Sequence, residues 1–349
     1  MKNAVPKMIS CAVAVCACVT MLVLCLSGGW LPTLACAAIG LSQRGGTVEI
    51  QATAPTAALN GTTSPFGSED SQDIPPTTVA TTTVTATGRV AGKVVETVLP
   101  VGSSFIQGVA IRNRSGTALD IAKELAAPVG LTLAQGEAPQ VLIYHTHTTE
   151  SYMPYFNGTY REGEAARTTD EHVNICAVGE AIAAKLRQAG IGVIHDTTIH
   201  DKPYTGAYSR SEATVKALLE KHPTVSVVID VHRDGVMIDE TTKSKPTVTI
   251  NGRKAAQLMI ICGATSTDAI PSPHWRTNLR LSMQVQQNLS QKYGQLMRQM
   301  SVVSSRYNQH LGKAAFLVEV GSEGNTLEEA LYSAELFGRA LAEELNALR

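Results

Sequence analysis

From about Glu96 onward, short apolar runs alternate with stretches whose apolar residues recur at helical spacing. FIQGVAIRN (105–113) reads as a strand, ALDIAKELAA (118–127) as a short helix, and VLIY (141–144) as a short buried strand. Thr168 with Glu171 has capping-box spacing ahead of a helix carrying Ile175, Val178, Ile182 and Leu186, and Gly190 ends it. IGVI (191–194) is the next strand. Ser209 with Glu212 repeats the spacing before a helix through Leu218 and Leu219, stopped by Pro223. VSVVIDV (225–231) is the most strongly β-branched run in the chain and predicts a central strand buried on both faces. Asn251-Gly252 predicts a hairpin between PTVTI and AAQLMIIC. A long helix over about 275–300, a strand at 314–320 and a third capping box, Thr326 with Glu329, complete the pattern. Strands alternating with helices predict an α/β fold, a mostly parallel sheet flanked by helices.

Upstream of Glu96 the pattern is different. Lys2 and Lys7 precede an uncharged apolar run, residues 9–26, whose length lies between a cleaved signal and a membrane span. LACAA at 34–38 would serve as a cleavage site, and Cys36 completes only an imperfect lipoprotein signal; a retained single-pass anchor is the expectation. Basic residues before the run keep that end cytoplasmic and send the remainder outside. The segment that follows is rich in Thr, Ala, Pro, Gly and Ser and has little to bury, so it should be disordered. The expected organisation is residues 1–40 as signal or anchor, 41–95 as linker and 96–349 as the folded domain.

Composition narrows the function classes. A net charge of −1 supplies no basic field for nucleic acid. Of the seven cysteines, only Cys176 and Cys262 fall in the folded part, so there is no disulfide framework, and both sit in apolar contexts that suit packing. Neither a phosphate-binding glycine loop nor a nucleophile elbow occurs.

In parallel α/β sheets ligands bind beyond the carboxyl ends of strands, and here three strands end in the same chemistry. VLIY runs into His145, with His147 and Glu150 just beyond; VVIDV runs into His232; FLV runs into Glu319, with Glu323 following. Two histidines and a carboxylate meeting at one sheet edge would suit a catalytic zinc ion, with a further carboxylate as general base. Glu319 is the sharpest anomaly, because a carboxylate inside FLVEVG calls for a cation nearby. Asp230, inside an even more apolar run, fits either a support for a ligand histidine or a partner for a backbone amide. His147 fits either a ligand or a loop support, and Glu171 either a ligand or a helix cap.

YHTHTTESY (144–152), IGVIHD (191–196), YSRS (208–211), VVIDVHRD (227–234), RYNQHL (306–311) and LVEVGSEGNTLEEA (317–330) together resemble the stage II sporulation protein P family, in order and spacing, over roughly residues 100–349. The resemblance implies a zinc amidase-like fold and a peptidoglycan hydrolase that cuts the amide between N-acetylmuramic acid and the stem peptide, with a further endopeptidase activity on cross-links. It implies work in engulfment, in the intermembrane space of the developing spore, beside a lytic transglycosylase and a membrane scaffold. Carried over residue by residue, His145 and His232 are zinc ligands and Glu319 the catalytic carboxylate. The family's own motif favours Glu150 as the third ligand, whereas the wider amidase group points to Glu171. Arg210, Arg233 and Asn308 are expected to contact substrate, with Gln309 beside them, or else to brace the fold. The competing readings are a cell-wall-binding scaffold without turnover and a zinc peptidase acting on proteins.

Overall fold

Twelve strands and five α-helices follow one another in the computed structural model, which describes residues 88–102, 105–136, 138–162, 164, 166–265, 267 and 271–349. In chain order the first are β1 (Val90–Thr97), β2 (Ile111–Asn113), α1 (Ile121–Ala126), β3 (Val141–Tyr144), β4 (Thr159–Arg161), α2 (Ile175–Gln188), β5 (Val193–His195) and α3 (Ala207–Lys221). Then come β6 (Val227–Asp234), β7 (Met237–Asp239), β8 (Thr242–Ile250), β9 (Arg253–Ala256), β10 (Leu258–Gly263), α4 (Trp275–Tyr293), β11 (Met300–Val303), β12 (Ala314–Ser322) and α5 (Leu327–Asn346). The expected anchor lies outside the described residues, and among the described residues no helix is long and apolar enough to cross a membrane. Among the described residues the first strand, β1, spans the expected linker boundary.

The main sheet has seven strands in the order β2-β11-β10-β12-β6-β3-β5. It is mixed, which corrects the expectation of a mostly parallel sheet: β10 runs antiparallel to β12. The cause is local. β9 passes into β10 through the single residue Gln257, so no crossover helix returns the chain. Gln257 is fully buried; its Oε1 accepts from Leu99 N at 2.7 Å and its Nε2 donates to Gln295 O at 2.8 Å. The run AAQLMIIC is thereby divided between two sheets. The Asn251-Gly252 hairpin forms as expected, with both residues at positive φ (50° and 77°), and its β8 belongs to a second sheet of order β4-β1-β8-β7.

Strand alternation gives the main sheet two distinct faces. Val141 and Ile143 of β3, Val227, Ile229 and Val231 of β6, and Phe316, Val318 and Val320 of β12 are fully buried on one face, packed with Ile175, Val178 and Ile182 of α2, Leu279 of α4 and Phe337 of α5. On the other face Leu142, Tyr144, Val228 and Ala315 pack with Val215 of α3.

Two of the three capping boxes form no cap. The cap of α2 is Asn174, whose side chain accepts from Cys176 N at 2.8 Å, because Thr168 is taken up in a local turn with Asp170 N. Helix α3 begins earlier than Ser209, behind left-handed Gly206. Only Thr326 with Glu329 is a true box. The long helix stops at Tyr293, which frees Met300–Val303 to pair as β11 between β10 and β2.

At the third box Glu329 also receives Lys245 Nζ, from a side chain 1% exposed, and Asn325 Nδ2 at 3.0 Å. Lys245 lies on β8, so this buried ion pair ties the second sheet to α5. Removing one partner of a buried pair strands the other charge and costs about 3–5 kcal/mol. Glu329→Ala is therefore expected to destabilise the domain by about 3 kcal/mol in urea denaturation; a loss below about 1 kcal/mol would show that Glu96, 3.1 Å from Lys245, balances the lysine alone.

Candidate active site

β3 ends at Tyr144 with Ile143 facing α2, so the next residue on that side is His145. Its Nδ1 donates to the Val231 carbonyl at 2.8 Å and its Nε2 lies 2.9 Å from His195 Nε2, the two nitrogens sharing a proton. His195 Nδ1 in turn approaches Glu180 Oε2 at 3.0 Å. Burial, then the neighbouring His195, lowers the His145 pKa to about 3, so the ring is neutral.

His232 belongs to the opposite face. On β6, Val231 faces the α2 side, so Asp230 and His232 face the α3 side. Asp230 accepts from Thr146 N at 2.8 Å and from the Thr146 hydroxyl at 2.6 Å, and its Oδ1 lies 2.8 Å from His232 Nε2. Glu150 Oε2 is 3.5 Å from His232 Nδ1 and accepts from Arg233 N at 3.1 Å; Arg167 reaches Glu150 Oε1 at 3.4 Å. Burial opposes charge on all three groups, but their mutual attraction prevails. Asp230 is held below its ordinary value, Glu150 falls to about 2 with help from His232 and Arg233, and His232 is raised well above the usual imidazole range. Glu319 is the register partner of His232 on β12. Its Oε2 is shut off from solvent without a hydrogen-bond partner, and burial pushes its pKa up to about 8.

His147 enters from the loop after β3. Its ring stacks on Tyr204 (centroids 4.6 Å apart, 5° between planes) and meets His232 edge-on at 5.3 Å and Tyr208 at 5.8 Å. Burial and the nearby His232 lower its pKa. Among the described residues no group of three His, Cys, Asp or Glu side chains is gathered tightly enough to form a ready metal cluster. The donor chemistry nevertheless fits zinc: the imidazoles of His147 and His232 meet beside the ionised Glu150, and His147 Nδ1 is buried without a hydrogen-bond partner. Asp230 Oδ1 holds His232 Nε2 at 2.8 Å, which leaves the Nδ1 edge of the ring toward Glu150.

The expected site residues therefore divide. The structure gathers His232, Glu150 and Glu319 with His147, and places His145 on the other side of the sheet. Of the residues expected to touch substrate, Arg210 directs its guanidinium to the carbonyls of His200, Pro203 and Thr205. Arg233 donates to the Ser151 and Ala166 carbonyls, and Asn308 to the Tyr208 carbonyl and the Ser211 hydroxyl. Gln309 bonds across to Gly263 N and Ile261 O. These four brace the backbone around the site. Glu171 lines a separate cavity with Glu180 and His195, and Glu323 pairs with Lys243 at 3.4 Å. Cys176 and Cys262 are buried thiols with pKa values pushed up to about 12, in keeping with packing. Sequence reasoning missed Arg167, which holds Asp201 at 2.6 Å and lies over the Tyr204 ring; no local pattern announces a contact made across such a separation.

Residues 88–342 match the family model described as Stage II sporulation protein P (SpoIIP). Stage II sporulation protein P of Bacillus subtilis (strain 168) is 29% identical over 230 residues, which cover 61% of this chain and 54% of that protein. The chain thus spans about half the length of this curated relative. Among solved structures, the N-acetylmuramoyl-L-alanine amidase AmiC2 of Nostoc punctiforme is 13% identical with a TM-score of 0.36, covering 61% of this chain and 98% of that one. The CwlD amidase from Clostridioides difficile, solved in complex with the GerS lipoprotein, is 13% identical with a TM-score of 0.36, covering 60% and 98%.

The seat of His145 can be tested from α2. A Cβ on Gly179 would lie 2.6 Å from His145 Cε1 and 2.7 Å from His195 Nε2, closer than van der Waals contact permits. In an exposed helix, glycine to alanine gains about 1 kcal/mol. Gly179→Ala is expected to lose about 1–3 kcal/mol by overpacking, read by chemical denaturation; a gain would mean that the two imidazoles do not pack there.

Proposed function

The chain belongs to the stage II sporulation protein P family, and from that premise we propose that it is a zinc-dependent peptidoglycan hydrolase cutting the amide between N-acetylmuramic acid and the stem peptide. The observation that carries this reading is the pair of buried atoms without partners on either side of His232: His147 Nδ1 and Glu319 Oε2. A folded protein rarely leaves such atoms unsatisfied without a use for them.

In this reading His147, Glu150 and His232 hold the zinc, which when bound supplies a Lewis acid for the scissile carbonyl. His145 takes a supporting role from the opposite face, since both of its ring nitrogens are already engaged. Asp230 fixes the orientation of His232, as carboxylates beside ligand histidines do. Glu319 takes a proton at Oε2 from the attacking water and gives it to the leaving nitrogen; its raised pKa suits a group that must both accept and donate near neutrality. His232 and Arg233 hold Glu150 ionised, Arg167 contacts its other oxygen, and the rings of Tyr204 and Tyr208 keep His147 from turning away. The same proposal includes anchorage by residues 9–26 and work outside the cytoplasm during engulfment, alongside a lytic transglycosylase and a membrane scaffold; N-terminal sequencing of the cellular protein that began near Ala37 would remove the anchor.

The purified chain is expected to bind about one zinc per molecule by atomic absorption, and to release stem peptides and peptide-free glycan from purified peptidoglycan, identified by mass spectrometry. Glu319→Gln should keep the zinc and slow release by about 10² to 10⁴-fold. His147→Ala and His232→Ala should lose zinc and activity together, while His145→Gln keeps the metal. Zinc lost with His145→Gln and retained with His147→Ala would reverse the ligand assignment. Absence of any cleaved product from the wild type would leave the scaffold reading standing.

A further inference from the structure

Among the described residues, no helix lies over the sheet face that carries Glu319 beyond β12. Leu258, Ile260 and Cys262 of β10 and Met300 and Val302 of β11 are fully buried toward α4, so Met259, Ile261, Ser301 and Val303 point the other way. The register joins them in a row. Glu319 pairs with Met259, Ile261 with Ser301, and Ser301 with Arg112 on β2. A cavity of about 500 Å³ runs along this row, with Glu319 at one end, Met259 and Ile261 on its floor, and Arg112, Arg114 and Arg298 on its wall.

The charges of this wall are unevenly matched. Arg298 is paired with Asp234 at 2.8 Å. Arg114 donates only to the neutral Ser301 hydroxyl at 3.0 Å, and among the described residues neither Arg114 nor Arg112 has an acid partner. Two exposed guanidiniums over an apolar floor are complementary to a carboxylate on a chain lying along the groove, because the planar fork binds carboxylate oxygens in pairs. Arg112 is three strands from Glu319, or about 14 Å at strand spacing. Allowing for the reach of its side chain, that is about two to four residues of extended peptide.

We propose that this groove is a carboxylate subsite: it holds a free carboxylate of an extended acidic peptide whose scissile amide lies at Glu319, with Arg112 and Arg114 as specificity-determining residues. The proposal rests on the hydrolase reading of the site, and it makes stems with free carboxylates better ligands than stems whose carboxylates are amidated. Charge on a short edge strand such as β2 also discourages edge-to-edge pairing, and that role alone would not distinguish acid from amide.

The test is calorimetric titration of the Glu319→Gln chain with two synthetic stem peptides, one with free carboxylates and one fully amidated. The free acid is expected to bind about 10-fold more tightly, in line with a charge-assisted pair. Adding Arg112→Ala should remove that preference by weakening the acid alone, and Arg112→Lys should restore only part of it, since the fork is lost. Equal weakening of both peptides, or of neither, overturns the subsite, as does Arg112-dependent binding of a poly(glycerol phosphate) with no difference between the peptides. Hydrolysis of peptidoglycan by the wild type is measured alongside. Turnover without acid preference sinks this proposal alone. Arg112-dependent acid preference without turnover upholds the groove and removes the hydrolase reading.

Discussion

Two buried carboxylates, Asp230 and Glu150, flank the imidazole of His232, and the surrounding contacts keep that cluster closed. Anions out of contact with water need a cation beside them. In the metal-free protein it is the proton held on His232. Thr146 fixes Asp230 through its backbone and its hydroxyl, the Arg233 amide and Arg167 fix Glu150, and the Arg233 side chain reaches back to the carbonyls of Ser151 and Ala166. The same negative field that retains a proton would favour a metal cation there. The neighbouring Glu319 is left as the one acid of the group that burial keeps near neutrality, because it receives no hydrogen bond at Oε2.

Much of this was legible in the residues. Apolar β-branched runs marked the strands, and the polar residues just past them marked the place where the chemistry collects. His232 and Glu319 were readable because each follows a buried strand and the two strands turn out to be neighbours in register. His145 was harder. It follows a strand as His232 does, but which face it meets depends on the parity of β3 against β6, and parity is fixed by pairing across the sheet. Two residues later the chain has left the strand, and His147 can come round to the face that His145 cannot reach. The three capping boxes carry the same lesson. One spacing occurs three times, and it forms a cap only where Thr326 and Glu329 are also held by Asn325 and by Lys245 from another sheet. Thr168 had a nearer partner, and Ser209 arrived after the helix had begun.

The arginines outside the cluster separate by their acceptors. Arg210 and Arg233 suited either substrate contact or a structural role, and their donors meet backbone carbonyls outside the named strands and helices. A guanidinium with five donors suits that task well. Arg112 and Arg114 carry no local motif in the sequence, one in the short β2 and the other just past it. Only the pairing of β2 with β11, and of β11 with β10, brings them onto the face that Glu319 occupies.

The antiparallel pairing explains why that face is open. β12 has β6 as its parallel neighbour on one side; a second parallel neighbour in the place of β10 would need a crossover of a dozen or more residues, usually a helix laid over one face of the sheet. β10 arrives instead directly from β9, so nothing is laid over Met259 and Ile261 on the way in. The next crossover, α4, carries the chain from β10 to β11 over the opposite face, where Leu279 packs among the buried residues of β10 and β12. On the Glu319 side, α3 covers β3 and β6, and among the described residues no helix extends past β12. Glu319 therefore stands at the border between a helix-covered half and a bare half of the same face. One side supplies the dry surroundings that shift its proton affinity, and the other leaves room for a chain to lie across the strands.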